Sequence, residues 1–174
     1  MRIVAGVARG RRLVSPEGTA TRPTADRVRE ATFNALTSLD ALDGATVVDL
    51  YAGSGAMGLE ALSRGATSAT FVDADARAVA AIRANLAATG FADVAEVVRS
   101  DVPRFLAGPQ RHVDLAILDP PYALADDGWT SLLTSLLADV AVLESDREVA
   151  VPPGWEIVRA RRYGTTVIIL AARR

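Results

Sequence analysis

A chain of 174 residues, half of them apolar and 23% charged, has the size and balance of one globular domain with room for a small appendage. With no cysteine and one histidine, His112, it cannot form a disulfide framework, a thiolate-ligated metal centre or a histidine metal cluster. Only carboxylates remain to hold a hard cation, and no metal site is expected.

The first residues lack the apolar core of a signal peptide, and no segment approaches the roughly 20 apolar residues of a membrane span, so a cytoplasmic location is expected. The formal charge of −2 hides a partition. Residues 1–30 carry seven arginines against three acids, residues 31–150 seven against seventeen, and residues 151–174 five against one. Basic ends on an acidic centre suit a polyanion held by those ends, and equally suit two solvated tails. All 19 basic residues are arginine, which a GC-rich codon bias explains.

In chain order, Ile3-Val4-Ala5 and Leu13-Val14 flank a Gly/Arg turn over 6–12, and Ser15-Pro16-Glu17-Gly18 supplies turn chemistry, which reads as a short hairpin arm. Thr24 is the expected cap of a helix running to Leu39, with Val28, Ala31, Ala35, Leu36 and Leu39 on one face. From residue 45 strands and helices alternate: a buried strand over 46–51, a glycine loop, a helix through Leu59, Ala61 and Leu62, a strand over 69–72, and a helix over 76–88 that Gly90 ends. Strands at 94–98 and 113–118 and a helix from Trp129 to Ala138 follow. The fifth strand falls on 140–143 or 147–151, and Glu144-Ser145-Asp146 as a turn favours the second. Segments 156–162 and 165–171 around Tyr163-Gly164 form an antiparallel hairpin at the sheet edge. Such alternation gives a doubly wound, mostly parallel α/β sheet covered on both faces.

The loop Asp49-Leu50-Tyr51-Ala52-Gly53-Ser54-Gly55-Ala56-Met57-Gly58 lies between a strand and a helix, at the carboxyl edge where such sheets bind ligands. Its glycine spacing alone fits a dinucleotide equally well. Asp49 shifts the balance, because a carboxylate four residues before Gly53 suits a cationic ligand and would repel a pyrophosphate. Asp73, ending the second strand, can accept both hydroxyls of a ribose, and Asp101, after the third, can accept from an adenine amine or merely cap a turn over 102–106. Asp75 is expected to cap the helix that follows it. The candidate cofactor contacts are Asp49, Ala52, Gly53, Ser54, Gly55, Gly58, Asp73, Ala74, Asp101 and Val102.

Asp119-Pro120-Pro121-Tyr122 directly follows the fourth strand and is the most specific signal in the chain. The exocyclic amine of a base is a poor nucleophile, because its lone pair is delocalised into the ring. The Asp119 carboxylate and the Pro120 carbonyl can hold its two hydrogens and turn the lone pair outward. Prolines carry no N–H to oppose the amine and hold the carbonyl rigidly. Tyr122 offers a face for stacking. These four residues are the candidate catalytic set.

Residues Arg2-Ile3-Val4-Ala5-Gly6, Arg9-Gly10-Arg11-Arg12-Leu13, the run from Arg22-Pro23-Thr24-Ala25-Asp26-Arg27 to Asn34, the stretch 49–66 and Asp119 to Tyr122 together resemble the RsmD-type 16S rRNA guanine-N2 methyltransferases. The resemblance covers nearly the whole chain. The tetrapeptide marks amino-methyltransferases broadly, and the arm with the Arg22–Asn34 run narrows the match. It implies a seven-stranded Rossmann-like sheet, S-adenosyl-L-methionine as cofactor, and a basic arm (1–21) ahead of a methyltransferase domain (22–174). It also implies a small-subunit particle or assembly intermediate as partner, with Arg9, Arg11, Arg12, Arg22, Thr24 and Arg27 toward RNA. On a helix Arg27 and Arg29 point apart, so one of them is expected to be structural. One departure stands out: relatives are expected to carry a glutamate at the end of the fifth strand, where the 147–151 register puts Val151-Pro152. The alternatives are an adenine-N6 or protein-glutamine methyltransferase with the same tetrapeptide, an NAD-binding oxidoreductase, or a non-catalytic RNA-binding module.

Overall fold

The computed structural model describes residues 1–16 and 23–174, and the side chains of all of these except 23–25. Helix α1 (Pro23–Ser38) precedes β1 (Thr46–Leu50), α2 (Ala56–Ser63), β2 (Ser68–Asp73), α3 (Ala76–Thr89) and, after a single 3-10 turn, β3 (Ala95–Arg99). Then come α4 (Val102–Ala107), β4 (Val113–Leu118), α5 (Asp126–Ser135), β5 (Ala138–Ser145), β6 (Trp155–Tyr163) and β7 (Thr166–Arg173). The sheet runs β3-β2-β1-β4-β5-β7-β6. Its first five strands in chain order are parallel, and β7 pairs antiparallel with both β5 and β6. The order reverses between β1 and β4, so the loops after these two strands meet at the switch point.

Alternation along each strand feeds two apolar layers. Val47, Phe71, Ile117, Val142 and Leu170 pack with Phe33 and Leu36 of α1, Leu59 and Leu62 of α2 and Ile82 of α3. Val48, Leu50, Leu118, Leu143 and Ile169 pack on the other face with Leu106 of α4 and Trp129, Leu132 and Leu133 of α5. Each such aliphatic side chain contributes roughly 1.5–3 kcal/mol on burial, which holds the strand tips in fixed register. Among the described residues no helix is long and apolar enough to cross a membrane.

The N-terminal hairpin is docked on the domain. Arg2 bridges Arg12, and Ile3, Ala8 and Leu13 are buried. Buried Glu60 of α2 accepts from the Val4 and Ala5 amides at 2.8 and 3.0 Å, and Ser63 Oγ accepts from Ala8 at 3.0 Å. Gly6 has φ +82°, and a Cβ there would lie 1.7 Å from the Ser63 carbonyl oxygen. Residues 17–21 of the expected arm lie outside the described residues.

Three expectations need correction. The fifth strand is Ala138–Ser145 and not 147–151, because Val140 and Val142 fill one apolar layer and Ala141 and Leu143 the other, between β4 and β7. Arg147 instead leaves the sheet to bind the Leu124 carbonyl and Asp126. Helix α5 begins at Asp126 and ends at Ser135, three residues earlier at each end than the expected 129–138. Helix α1 begins at Pro23, so Thr24 lies inside it rather than capping it as expected, with proline in the first turn where a missing N–H does no harm.

Candidate functional site

The chain leaves β1 through a run of left-handed backbone: Tyr51 (φ +61°), Gly53 (φ +56°) and Gly55 (φ +75°). For a tyrosine this conformation is strained, and such strain gathers at ligand sites. The Gly55 amide donates to the Ala52 carbonyl at 2.7 Å, and Asn85 of α3 donates to the Ser54 carbonyl at 2.8 Å. At Gly58 a Cβ would meet Phe71 at 2.4 Å and Asp49 Oδ2 at 3.1 Å, so only glycine lets α2 sit this close to the sheet.

Two acids brace this loop from beneath. Asp49, only 2% exposed, accepts from the Gly58 amide at 2.8 Å. Burial pushes its carboxyl up to about 8; the bond to Gly58 opposes this, and the negative charges of Asp119 and Asp73 add to it. Asp73 accepts from the Gly53 amide at 2.8 Å through Oδ2 and from the Asp75 amide at 2.9 Å through Oδ1. Each carboxylate oxygen has a second lone-pair site, so Asp73 can still accept two ligand hydroxyls. Asp75 caps α3 by accepting from the Arg77 amide at 2.8 Å, as expected.

Asp119 follows β4, whose Leu118 is in register with Leu50 of β1. Its carboxyl looks into a cleft between protein walls, and loss of hydration there pushes it up to about 6. Pro120 is buried, and Tyr122 stands 47% exposed at the rim. Among the described residues no hydrogen bond reaches the Pro120 carbonyl, whereas that of Pro121 accepts from Leu124 at 2.9 Å. Arg147 holds the following turn through the Leu124 carbonyl at 2.8 Å and Asp126 at 2.9 Å.

These loops enclose a cleft of about 660 Å³ lined by Tyr51, Asp73, Ala74, Asp75, Asp101, Val102, Pro103, Asp119, Pro120, Pro121 and Tyr122. That volume suits a nucleoside-sized ligand. Of the expected site residues, Asp73, Ala74, Asp101, Val102 and the tetrapeptide line the cleft, while Asp49, Ala52, Gly53, Ser54, Gly55 and Gly58 build the loop behind it. Asp101 also caps α4, accepting from Arg104 at 2.9 Å.

The sequence reading missed Tyr51, whose phenol is raised by burial and by the charge of Asp101. It also missed Asn85, although a lone asparagine on the apolar side of an alanine-rich helix was a visible signal. Glu144, read as part of a turn because the strand was placed too late, instead lies at the end of β5 beside Asp119, so the glutamate expected at the end of the fifth strand is present and that departure falls away. Burial first, then the charge of Asp119, pushes its carboxyl up to about 8, against the opposing pull of Arg29.

Arg9, Arg11 and Arg12 are exposed on the hairpin and Arg27 on α1. Arg22 and the Thr24 side chain lie outside the described residues. Arg29 is the structural member of its pair: 3% exposed, it binds Asp26 at 2.9 Å and the Arg2 carbonyl at 2.6 Å. The basic C-terminal end falls on edge strand β6, where Arg159, Arg161 and Arg162 are exposed.

Residues 1–172 match the family model described as "conserved hypothetical protein 95". The chain is 37% identical to ribosomal RNA small subunit methyltransferase D of Escherichia coli, across 99% of this chain and 90% of that protein. It is 31% identical to the protein of the same name from Haemophilus influenzae, across 94% and 89%. The solved structure of Escherichia coli yhhF superposes with a TM-score of 0.87 at 37% identity, covering 100% of this chain and 98% of that one.

Proposed function

The chain belongs to the RsmD-type family, and from that membership we propose that it transfers a methyl group from S-adenosylmethionine to the N2 amine of a guanine in small-subunit rRNA. The observation that carries this reading is one cleft that holds Asp73 and Asp101 on one side and Asp119-Pro120-Pro121-Tyr122 on the other.

The donor set fits the cofactor. Asp73 keeps lone pairs for a ribose, and Asp101 lies on the same side of the cleft for an adenine amine. Among the described residues the buried Asp49 carboxyl accepts one hydrogen bond, from Gly58, and gains most from a cation at the glycine loop. When bound, the cofactor supplies an electrophilic methyl on a positively charged sulfur, which leaves as a neutral thioether.

The chain's own residues do the rest. Asp119, with its carboxyl at about 6, is ionised at neutral pH and accepts one amine hydrogen. The Pro120 carbonyl accepts the other, and Tyr122 stacks on the ring, so the nitrogen lone pair faces the cleft. After transfer the surplus amine proton passes to Asp119 or to water. Orientation of this kind can remove roughly 7–11 kcal/mol of barrier. A base in a helix must be turned out of its stack to reach Asp119. Arg9, Arg11, Arg12 and Arg27 grip phosphates around it, an affinity that falls with salt.

The test incubates the protein and labelled cofactor with small-subunit particles from cells lacking this gene, with duplex DNA and with protein, followed by nucleoside mass spectrometry. The reading predicts N2-methylguanosine from the particles alone. Label in adenosine, DNA or glutamine would refute it.

A further inference from the structure

We infer that Glu144 reads the identity of the base, its carboxylate accepting the ring N1–H that lies beside the target amine in guanine. The inference rests on the function proposed above and names the part of that site which selects guanine.

Strands β4 and β5 are parallel with Leu118 opposite Leu143. Asp119, the first residue after β4, and Glu144, still within β5, therefore stand side by side, with backbones about 5 Å apart. They also share a face. Ile117 and Val142, two residues back, both enter the layer beneath α1 and α2, whereas Leu118 and Leu143 enter the other layer.

Glu144 is half-buried, and among the described residues no side-chain hydrogen bond or ion pair reaches its carboxyl. Asp119 on β4 opposes its charge, and Arg29 on α1 favours it only from a distance, being already bound to Asp26 and the Arg2 carbonyl. Strand β7 places Ile168 opposite. The Glu144 carboxylate oxygens therefore keep lone pairs free to accept from a ligand.

The base amines differ in what stands beside them. Adenine N6 adjoins N1 and cytosine N4 adjoins N3, both acceptors, whereas guanine N2 adjoins the N1–H donor. An ionised carboxylate next to the amine pocket accepts from guanine and repels the other two. Without the base, burial, reinforced by the charge of Asp119, keeps a proton on Glu144 near neutrality; guanine's donors let both carboxyls ionise. Target engagement thus weakens as pH falls below about 8, where Glu144 takes up its proton.

Wild type, E144Q and E144A are compared on small-subunit particles from cells lacking this gene, with saturating cofactor between pH 6 and 9. Calorimetric cofactor binding, thermal melting and product identification accompany the rates. Wild-type kcat/KM should climb up to about pH 8, and that upper limb should vanish in E144Q, leaving only the limb due to Asp119. E144A should lose roughly tenfold to hundredfold in kcat/KM, the worth of one base-edge contact. Cofactor affinity should stay within twofold, and both variants should melt no lower than wild type. Unchanged kcat/KM and pH profile in both variants, or a melting loss that accompanies the activity loss, would overturn the role of Glu144. A wild-type product other than N2-methylguanosine would instead overturn the proposed function itself.

Discussion

Replacing Asp49 by asparagine should stabilise the free protein while weakening its hold on the cofactor. Asp49 is 2% exposed, and burial carries its carboxyl from 3.8 to about 8. Between those values the folded state holds a proton that the unfolded chain releases, so stability from this group falls as pH rises through the window. At 1.36 kcal/mol per pH unit, the four-unit shift caps the penalty at about 6 kcal/mol near pH 8. Relaxation around the buried charge brings the gain expected in D49N to about 1–3 kcal/mol. For a chain of this length that raises Tm by about 2–12 °C at pH 8, and by less at pH 5. The amide oxygen of the introduced asparagine can still accept from the Gly58 amide, so the loop is kept. Without the negative charge, cofactor affinity should fall roughly tenfold to hundredfold. Calorimetric melts at pH 5, 6, 7 and 8 with matched cofactor titrations measure both effects. A D49N protein that melts lower at pH 8, or binds cofactor as tightly as wild type, refutes the assignment of Asp49 as the buried counter-charge.

Gly6→Ala puts a methyl 1.7 Å from the Ser63 carbonyl at φ +82°, and should lower stability by about 2–4 kcal/mol, read as a fall in Tm; a shift within about 1 °C would mean the hairpin is not docked as described. If, as proposed, the Asp119 carboxyl acts on the amine and not on the donor, Asp119→Ala should lower kcat on particles by about 10²–10³-fold while cofactor affinity stays within a few-fold; equal losses in both would contradict this. Replacing Arg9, Arg11 and Arg12 by alanine should weaken particle binding and lower the slope of log affinity against log salt by about three, with cofactor binding unaffected; an unchanged slope would remove these residues from the RNA contact.

What could be read from the chain was what local chemistry decides. Apolar runs of strand length, Gly90 as a helix stop, Asp75 as a cap, the glycine loop and the tetrapeptide each declare themselves within a few residues, and the structure puts them where they were expected. The fifth strand was different. Segments 140–143 and 147–151 are both short apolar runs beside a polar turn, and only pairing with β4 and β7 chooses between them. That choice hid Glu144, because a residue's place at a strand tip depends on the register of its neighbours. Docking of the hairpin was equally illegible: Glu60 and Ser63 look like ordinary surface residues of a short helix until the amides of Val4, Ala5 and Ala8 arrive from 55 or more residues away. Arg29 shows the same limit, since helical spacing separates it from Arg27 but only tertiary packing says which of the two is buried.

A crystal structure with S-adenosylmethionine bound will show whether a methyl donor and the Asp119–Tyr122 tetrapeptide face one another across a single cleft. Its ribose hydroxyls should lie on Asp73 and its sulfonium methyl should be directed at the space between Asp119 and Tyr122. A cofactor bound elsewhere, or bound at the glycine loop with its methyl turned away from Asp119, would contradict this arrangement.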